Sequence, residues 1–556
     1  MQRMITSSAD VLIIGGGPCG LMLANELGRR GVSAILVDQK ESTAFNPQAN
    51  ATQARSMEHY RRLGFVEEIR AMGLPDDYPT DIAYFTRYAK HEITRFSLPA
   101  AGEARRLIKK MSGSWSAAEL PHRVSQKFVE QVLRRHAEKL PGISIHYGWR
   151  LVSFRDTGER IEARIADVKS GEERDITAAY LFGADGPRSF VRRQYGYEYG
   201  GEASAARDFM GGRMHAIYLS APDFYKACPH PKAWMYWTFN RDRRALMASV
   251  DGKGEFAFHT QLRDGEPDEA ITDQIALGMF EQAMGAKIDA KILSRDTWLA
   301  GRALVAETFQ NGRVLLGGDA VHLFTPTGGM GYNTAIEDAV NAGWKLAAVV
   351  KGQAPESLLD TYELERRPVA IRNTGNARKF ADSIGLYRAS PALETDTPAG
   401  EAARRRAGEY LGNHARSEFN IPGFTLGARY DGSPIVFEDG TPPPPDGPNV
   451  YVPTGKPGGR APHIWLEDGR SLYDTFGFYW TLLRLGPNPG DAGPFVAAAA
   501  KRGIDLEVVD CADEVAYDLY ETDLALIRPD QVVAWRRTEQ TDVPAEDVIS
   551  RALGWT

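Results

Sequence analysis

An apolar run that breaks into glycine after four residues sets the first limit on this fold: Val11–Gly20 reads VLIIGGGPCG. A run that short suits a parallel strand covered on both faces better than a buried helix. The glycines fall as Gly15-x-Gly17-x-x-Gly20. Pro18 opens a helical pattern (Leu21, Ala24, Leu27), and a second apolar strand, SAILVD, ends on Asp38. Gly15 permits a tight turn, Gly17 lets a phosphate approach the backbone, and Gly20 lets helix and strand pack closely. The helix start offers free N–H groups and a partial positive charge to a pyrophosphate. Asp38, with Gln39 beside it, is placed to hold ribose hydroxyls, and its charge repels a 2′-phosphate. Strand, spacing, helix and acid agree on a site for FAD or NAD rather than NADP. Cys19 reads as a small packing residue of this loop.

Composition excludes several classes. A net charge of −7 without a basic block speaks against a nucleic-acid partner. Cys19, Cys228 and Cys511 are the three cysteines; they give neither a CxxC pair nor metal-ligand spacing, and fit a reducing compartment. The first apolar run is too short for a signal peptide or a membrane span. These features read as a cytoplasmic chain with no membrane partner and no metal.

The 556 residues predict an α/β fold of several units. A Rossmann-like dinucleotide domain is read over 1–75, 105–199 and 291–390. Aromatic-rich strands such as AWMYWTFN and RALMASVDG predict an inserted antiparallel-sheet substrate domain over 76–104 and 200–290. In the first of these, Met235, Trp237 and Phe239 alternate with Tyr236, Thr238 and Asn240, so one set faces the cofactor cavity. A helix near Asn333 is predicted with Ile336, Ala339, Val340, Gly343, Leu346, Ala347 and Val350 on one face. A polar, arginine-rich connector, helical or loose, spans 391–448 and ends in the stiff TPPPPDGP. A small α/β unit follows over 449–556.

Two further motifs, LFGADGPRS (181–189) and GRVLLGGDAVHLFTPTGGMGYN (312–333), follow the glycine loop in order. At these positions the chain resembles the flavoprotein aromatic hydroxylases, single-component FAD monooxygenases of the para-hydroxybenzoate hydroxylase type, from residue 10 to about residue 380. The C-terminal third, through FTLGARYDGSPIV and ALIRPDQVVAWR, is similar to the phenol hydroxylase and polyketide hydroxylase branch. In that branch a thioredoxin-like domain ends the chain; without CxxC it implies a structural role or a homodimer. The resemblance implies that Asp319 holds the ribityl hydroxyls of FAD. It places Asp185 and Gly186 where FAD meets a transient NAD(P)H. Pro326, Gly328, Gly329, Met330, Gly331 and Asn333 bring backbone amides and a helix start to the flavin pyrimidine edge. Gln126 and Arg123 reach the FAD chain, and Arg55 touches the flavin region. No second glycine fingerprint exists for the nicotinamide cofactor, as the family has none.

The implied reaction consumes NAD(P)H and O2 and hydroxylates a small phenolic ring, next to its hydroxyl, through a flavin hydroperoxide. Phenol hydroxylases carry a His or Asp where this chain has Asn50, which cannot accept a proton at neutral pH. Glu119 and His122 are the other titratable candidates for catalysis, and Trp237, Phe239 and Thr327 are read as substrate contacts. Two alternatives stay open. One is a tailoring oxygenase, by hydroxylation or Baeyer–Villiger chemistry, acting on a polycyclic natural product. The other is a catalytically idle FAD-binding scaffold.

Overall fold

Val11–Ile14 are buried at the centre of the first sheet. In the computed structural model, which describes residues 5–202, 209–263, 266 and 271–555, β1 (Ser8–Ile14) pairs in parallel with β2 (Ala34–Asp38) on one side and with Glu173–Gly183 on the other. Ile143–Tyr147 continues the parallel order beyond β2, and Val314–Leu316 beyond Glu173–Gly183. α1 (Pro18–Arg29) packs against the helix Met330–Val350. Gly343 permits that approach, since a Cβ there would lie 2.5 Å from the Cβ of Glu26.

That second helix departs from expectation twice. It starts at Met330, not near Asn333, and it is buried on nearly every side rather than along one apolar face. Its polar residues Asp338, Asn341 and Lys345 are also buried because other parts of the chain cover them.

The second sheet has seven strands in the order Lys291–Leu299, Arg213–Ser220, Glu255–Gln261, Ala245–Ser249, Met235–Thr238, Ile82–Phe85, Glu92–Phe96. It is mixed rather than wholly antiparallel. Met235–Thr238 runs parallel to Ile82–Phe85, which a distant stretch of chain supplies. The two faces of Met235–Thr238 enter separate cores. Tyr236 packs with Phe85 and Phe224, whereas Trp237, with Phe239 just beyond the strand, joins Tyr84, Phe209 and Leu246. The connector contributes a continuous 22-residue helix, Pro398–Phe419. Its Ala403, Ala407, Leu411 and Ala415, one turn apart, join the core around Trp237.

Four C-terminal strands, ordered Leu506–Cys511, Trp480–Leu485, Leu524–Ile527, Val533–Arg536, carry three helices in a thioredoxin-like arrangement. Cys19, Cys228 and Cys511 are all free and buried. No helix among the described residues is long and apolar enough to cross a membrane.

Buried ion pairs join the C-terminal unit to the rest. Glu58 takes Arg460 through both oxygens, at 2.5 and 2.9 Å, and Arg55 at 2.8 Å. Burial pushes the Glu58 carboxyl up, but Arg460 and Arg55 outweigh it and hold it at about 2. Asp338 is likewise raised by burial and brought down to about 2 by His322 and Arg366. Both carboxyls titrate lower folded than unfolded. Their contribution is therefore present above the ordinary carboxylate range and lost as pH falls toward 2, on the order of 2–3 kcal/mol each. Thermal unfolding followed by circular dichroism should show the melting temperature falling steeply between about pH 4.5 and pH 2, and less steeply in Glu58→Gln. An unchanged slope in that variant would remove Glu58 from the account.

Candidate cofactor and substrate site

Four loops leave the C-terminal ends of four adjacent parallel strands, where open α/β sheets hold ligands. Gly15–Gly20 follows β1, Asp38 and Gln39 end β2, Asp185 and Gly186 follow Glu173–Gly183, and Asp319 follows Val314–Leu316.

Gly15 sits at φ +111°, and a Cβ there would overlap the Ala184 carbonyl; one on Gly20 would overlap the Gly15 carbonyl. Gly17 differs. It caps α1 with no side-chain cap, and a Cβ would meet nothing within 4 Å. The helix start thus opens on clear space with unused N–H donors. Asp38 accepts from the N–H of Gly16 and of Lys40, both at 2.7 Å, and keeps lone pairs for a diol. Gln39 is exposed beside it.

Asp319 has an open side-chain surface, yet protein surrounds it closely enough that burial raises its carboxyl, with His322 and Lys40 opposing. Exposure and crowding together describe the wall of a cleft. Its backbone is fastened. Tyr199 donates to the Asp319 carbonyl at 2.6 Å, and Asp338 accepts from Gly318 N–H at 3.1 Å while gripping His322 at 2.6 Å and Arg366 at 2.8 Å. Sequence reasoning missed Asp338, a buried acid in an otherwise apolar helical pattern. Asp185 caps the short helix Phe190–Gln194 through Phe190 N–H and Val191 N–H, and its other oxygen is buried without a partner among the described residues. Gly186 lies beside it at φ +78°.

Gly328 and Gly329 are both left-handed, at φ +74° and +63°, which brings Met330 and Gly331 into the first turn of their helix without a side-chain cap. Asn333 ties this turn to the segment 51–56. Its Oδ1 accepts from Gln53 N–H at 2.8 Å and Ser56 at 2.7 Å, while its Nδ2 donates to Ala51 at 3.0 Å and Gly329 at 2.6 Å. Pro326 is exposed, and Met330 packs with Phe380 and Phe424. Gln126 donates to Glu130 at 2.8 Å at the start of its helix.

Several expected residues lie elsewhere. Arg55 turns from the cofactor loops to Glu58, Gln531 and the Asp530 carbonyl, because the C-terminal unit supplies partners the sequence alone did not reveal. Glu119 is neutralised by Arg61, at 2.8 Å, and Arg70. His122 contacts the Arg70 carbonyl at 3.1 Å, and burial pulls its pKa down to about 3, so it stays neutral. Arg123 stacks 4.0 Å from the Trp234 ring centre, on the side of the second sheet. The Thr327 hydroxyl is bound to Ala377 O at 2.5 Å. Asn50 is half-buried, its Oδ1 without a partner among the described residues.

The aromatic core beside these loops holds Tyr84 and Trp237, stacked at 6.1 Å, with Phe239 at 6.3 Å from Tyr84. Tyr84 OH, Trp237 Nε1 and Trp234 Nε1 are buried donors with no partner among the described residues. The helix Pro398–Phe419 adds a carboxylate: Glu418, 3% exposed, accepts from Gly328 N–H at 3.1 Å.

The open helix start, the cleft-lining Asp319 and the unpartnered Asp185 oxygen fit FAD, with diol acceptors at Asp38 and Asp319 and phosphate donors at Gly17. Comparison with known proteins agrees. Residues 8–377 match the FAD binding domain family, and residues 454–555 match the aromatic-ring hydroxylase C-terminal family. The chain is 30% identical over its whole length to the FAD-dependent monooxygenase apdD of Emericella nidulans, 92% of which is covered. It is 33% identical over 89% of its length to aklavinone 12-hydroxylase DnrF of Streptomyces peucetius, 96% of which is covered. Among solved structures, native and K252c-bound RebC-10x superposes with a TM-score of 0.88 at 30% identity, covering 99% of this chain and 100% of that one. Aklavinone-11 hydroxylase with FAD and aklavinone gives 0.80 at 27% identity, with the same coverage. The chain belongs to the FAD-dependent aromatic-ring hydroxylases, and it is a flavin-dependent aromatic monooxygenase.

Proposed function

We propose that this monooxygenase hydroxylates an oxygen-bearing aromatic ring of the phenol type, next to an existing hydroxyl, with NAD(P)H and O2 as co-substrates. The observation that carries this reading is the set of buried donors without acceptors among the described residues, Tyr84 OH, Trp237 Nε1 and Trp234 Nε1, in one aromatic core. Unpartnered buried donors cost about 1–3 kcal/mol each, and a flat ring with oxygen substituents supplies what they lack. Bound FAD, once reduced, supplies the activation of O2. The residues of this chain orient the ring and exclude water. A second reading, a polycyclic natural product, is favoured by the spread of the donors across two tryptophans and a tyrosine and by the aklavinone named for two relatives.

The test is NAD(P)H oxidation by the FAD-loaded protein in air, with simple phenols and hydroxylated anthraquinones, and mass analysis of the products. A ring that accelerates oxidation and leaves heavier by one oxygen atom supports the reading. FAD-loaded protein that oxidises no NAD(P)H, whichever ring is added, would leave it an idle scaffold.

A further inference from the structure

The sequence offers no base where related phenol hydroxylases carry one, and the fold gives Glu119 and His122 to structural pairs. A buried carboxylate does stand beside the aromatic core, on the helix Pro398–Phe419. Glu418 Oε1 accepts from Gly328 N–H at 3.1 Å, in the turn that leads to the helix Met330–Val350. Its Oε2 lies 2.8 Å from His414 Nε2, one helical turn back, although the angle leaves both atoms without a formed hydrogen bond. His414 Nδ1 contacts Ser383 Oγ at 3.0 Å, and Ser383 is half-buried on the neighbouring helix Asp360–Gly385. The next residue, Phe419, packs edge-on to Trp234 at 6.1 Å. Across the core, the Tyr84 hydroxyl is raised well above its ordinary value, first by burial and then by the charge of Glu418. The groups in contact with the carboxylate are thus His414 from its own helix and the Gly328 amide from the turn, with Ser383 behind the imidazole, and Tyr84 on the sheet is near enough to feel its charge.

We propose that Glu418 is the proton acceptor for the ring hydroxyl of the substrate, with His414 as its positioning and relay partner; this rests on the phenolic reading above. The substrate O–H bond breaks, its electron pair stays on the ring oxygen as phenolate, and the proton passes to the Glu418 carboxylate. His414 then takes the proton on toward Ser383. Tyr84 OH donates to the oxygen left behind. A carboxylate that only closed the turn would need an acceptor for Gly328 N–H and nothing more, and a glutamine supplies that equally well.

Glu418→Gln therefore separates the two roles. Binding of 4-nitrophenol to oxidised, FAD-loaded protein, followed by difference absorption, needs no turnover and so stands apart from the test of the reaction itself. Wild type should prefer the neutral phenol to the phenolate, because the carboxylate accepts from one and repels the other. Glu418→Gln should lose that preference by about tenfold, the scale of a hydrogen bond to a charged group. Glu418→Asp, which keeps the charge, should restore it. In turnover, Glu418→Gln should retain its FAD and lose about 10²–10⁴-fold in hydroxylation of a neutral phenol, with activity rising as pH approaches the ionisation of the phenol. The proposal is overturned if Glu418→Gln keeps the wild-type preference, if Glu418→Asp behaves as Glu418→Gln does, or if Glu418→Gln hydroxylates neutral phenols at the wild-type rate.

Discussion

Gly15→Ala should give no soluble yellow protein, whereas Gly17→Ala should fold normally and fail to keep FAD. The two positions are two residues apart and face opposite constraints. Gly15 is held from both sides: its N–H donates to Val37 O at 2.8 Å, and the added methyl would overlap the Ala184 carbonyl, which is backbone and cannot swing away. Its φ of +111° alone costs an alanine about 1–3 kcal/mol, and relieving the overlap means separating two paired central strands. Gly17 has ordinary extended backbone, φ −81° and ψ −172°, with open space where its methyl would go. Stability without cofactor should stay within about 0.5 kcal/mol. The methyl would stand in the path of the pyrophosphate, and FAD affinity should fall by about a hundredfold, near 2.7 kcal/mol. Apo-protein melting temperature and the flavin-to-protein ratio after gel filtration measure the two effects separately. A Gly17→Ala protein that stays fully yellow would show that the phosphates do not approach there.

Glu365→Ala should loosen the C-terminal unit by about 3–5 kcal/mol, the scale of a buried ion pair broken on one side. Glu365 is fully enclosed and accepts from Arg528 at 2.7 and 2.8 Å, Lys345 at 2.7 Å, Asn341 at 2.7 Å and Ser433 at 2.7 Å. Burial already draws Lys345 down to about 8, against the opposing charge of Glu365. Without that carboxylate Lys345 can shed its proton, but Arg528 cannot, and a guanidinium with no exposed side-chain surface keeps Asp530 as its ion-pair partner, over the Trp344 and Tyr430 rings. The measurement is chemical denaturation together with limited proteolysis at the TPPPPDGP segment, where cleavage should quicken. A variant that replaces the whole cluster, Lys345→Met, Glu365→Leu, Arg528→Leu and Asp530→Asn, should recover part of the loss, because it leaves no unpaired charge among these four residues while the amide oxygen introduced at position 530 can still accept from Trp344. If Glu365→Ala unfolds as wild type does, the cluster does not bind the two units together.

What could be read from the chain followed how local each rule is. The glycine loop was legible because turn, phosphate approach and helix packing each demand glycine at a fixed offset, and a parallel strand announces itself by a continuous apolar run. The helix Met330–Val350 was legible as a helix but not as one buried all round. Asp338 and Lys345 look like a solvated face until the ion pairs that cover them are known. Arg55 and Glu119 were misplaced for the same reason, since their partners Gln531, Asp530, Arg61 and Arg70 sit on other elements. The connector hid a regular signal. Ala403, Ala407, Leu411 and Ala415 repeat every fourth residue, and His414 and Glu418 stand at the same spacing, but arginines between them dominated its composition.

The sequence by itself determined that a Rossmann-like strand, glycine turn and helix are followed by a second strand ending on an acid, because those features depend on residues within one supersecondary unit. Only the tertiary structure decided which carboxylates are spent on arginines and which one, Glu418, rides on the helix that packs into the aromatic core. A charged side chain takes its role from what lies across from it, and in a chain of this length that neighbour is often hundreds of residues away.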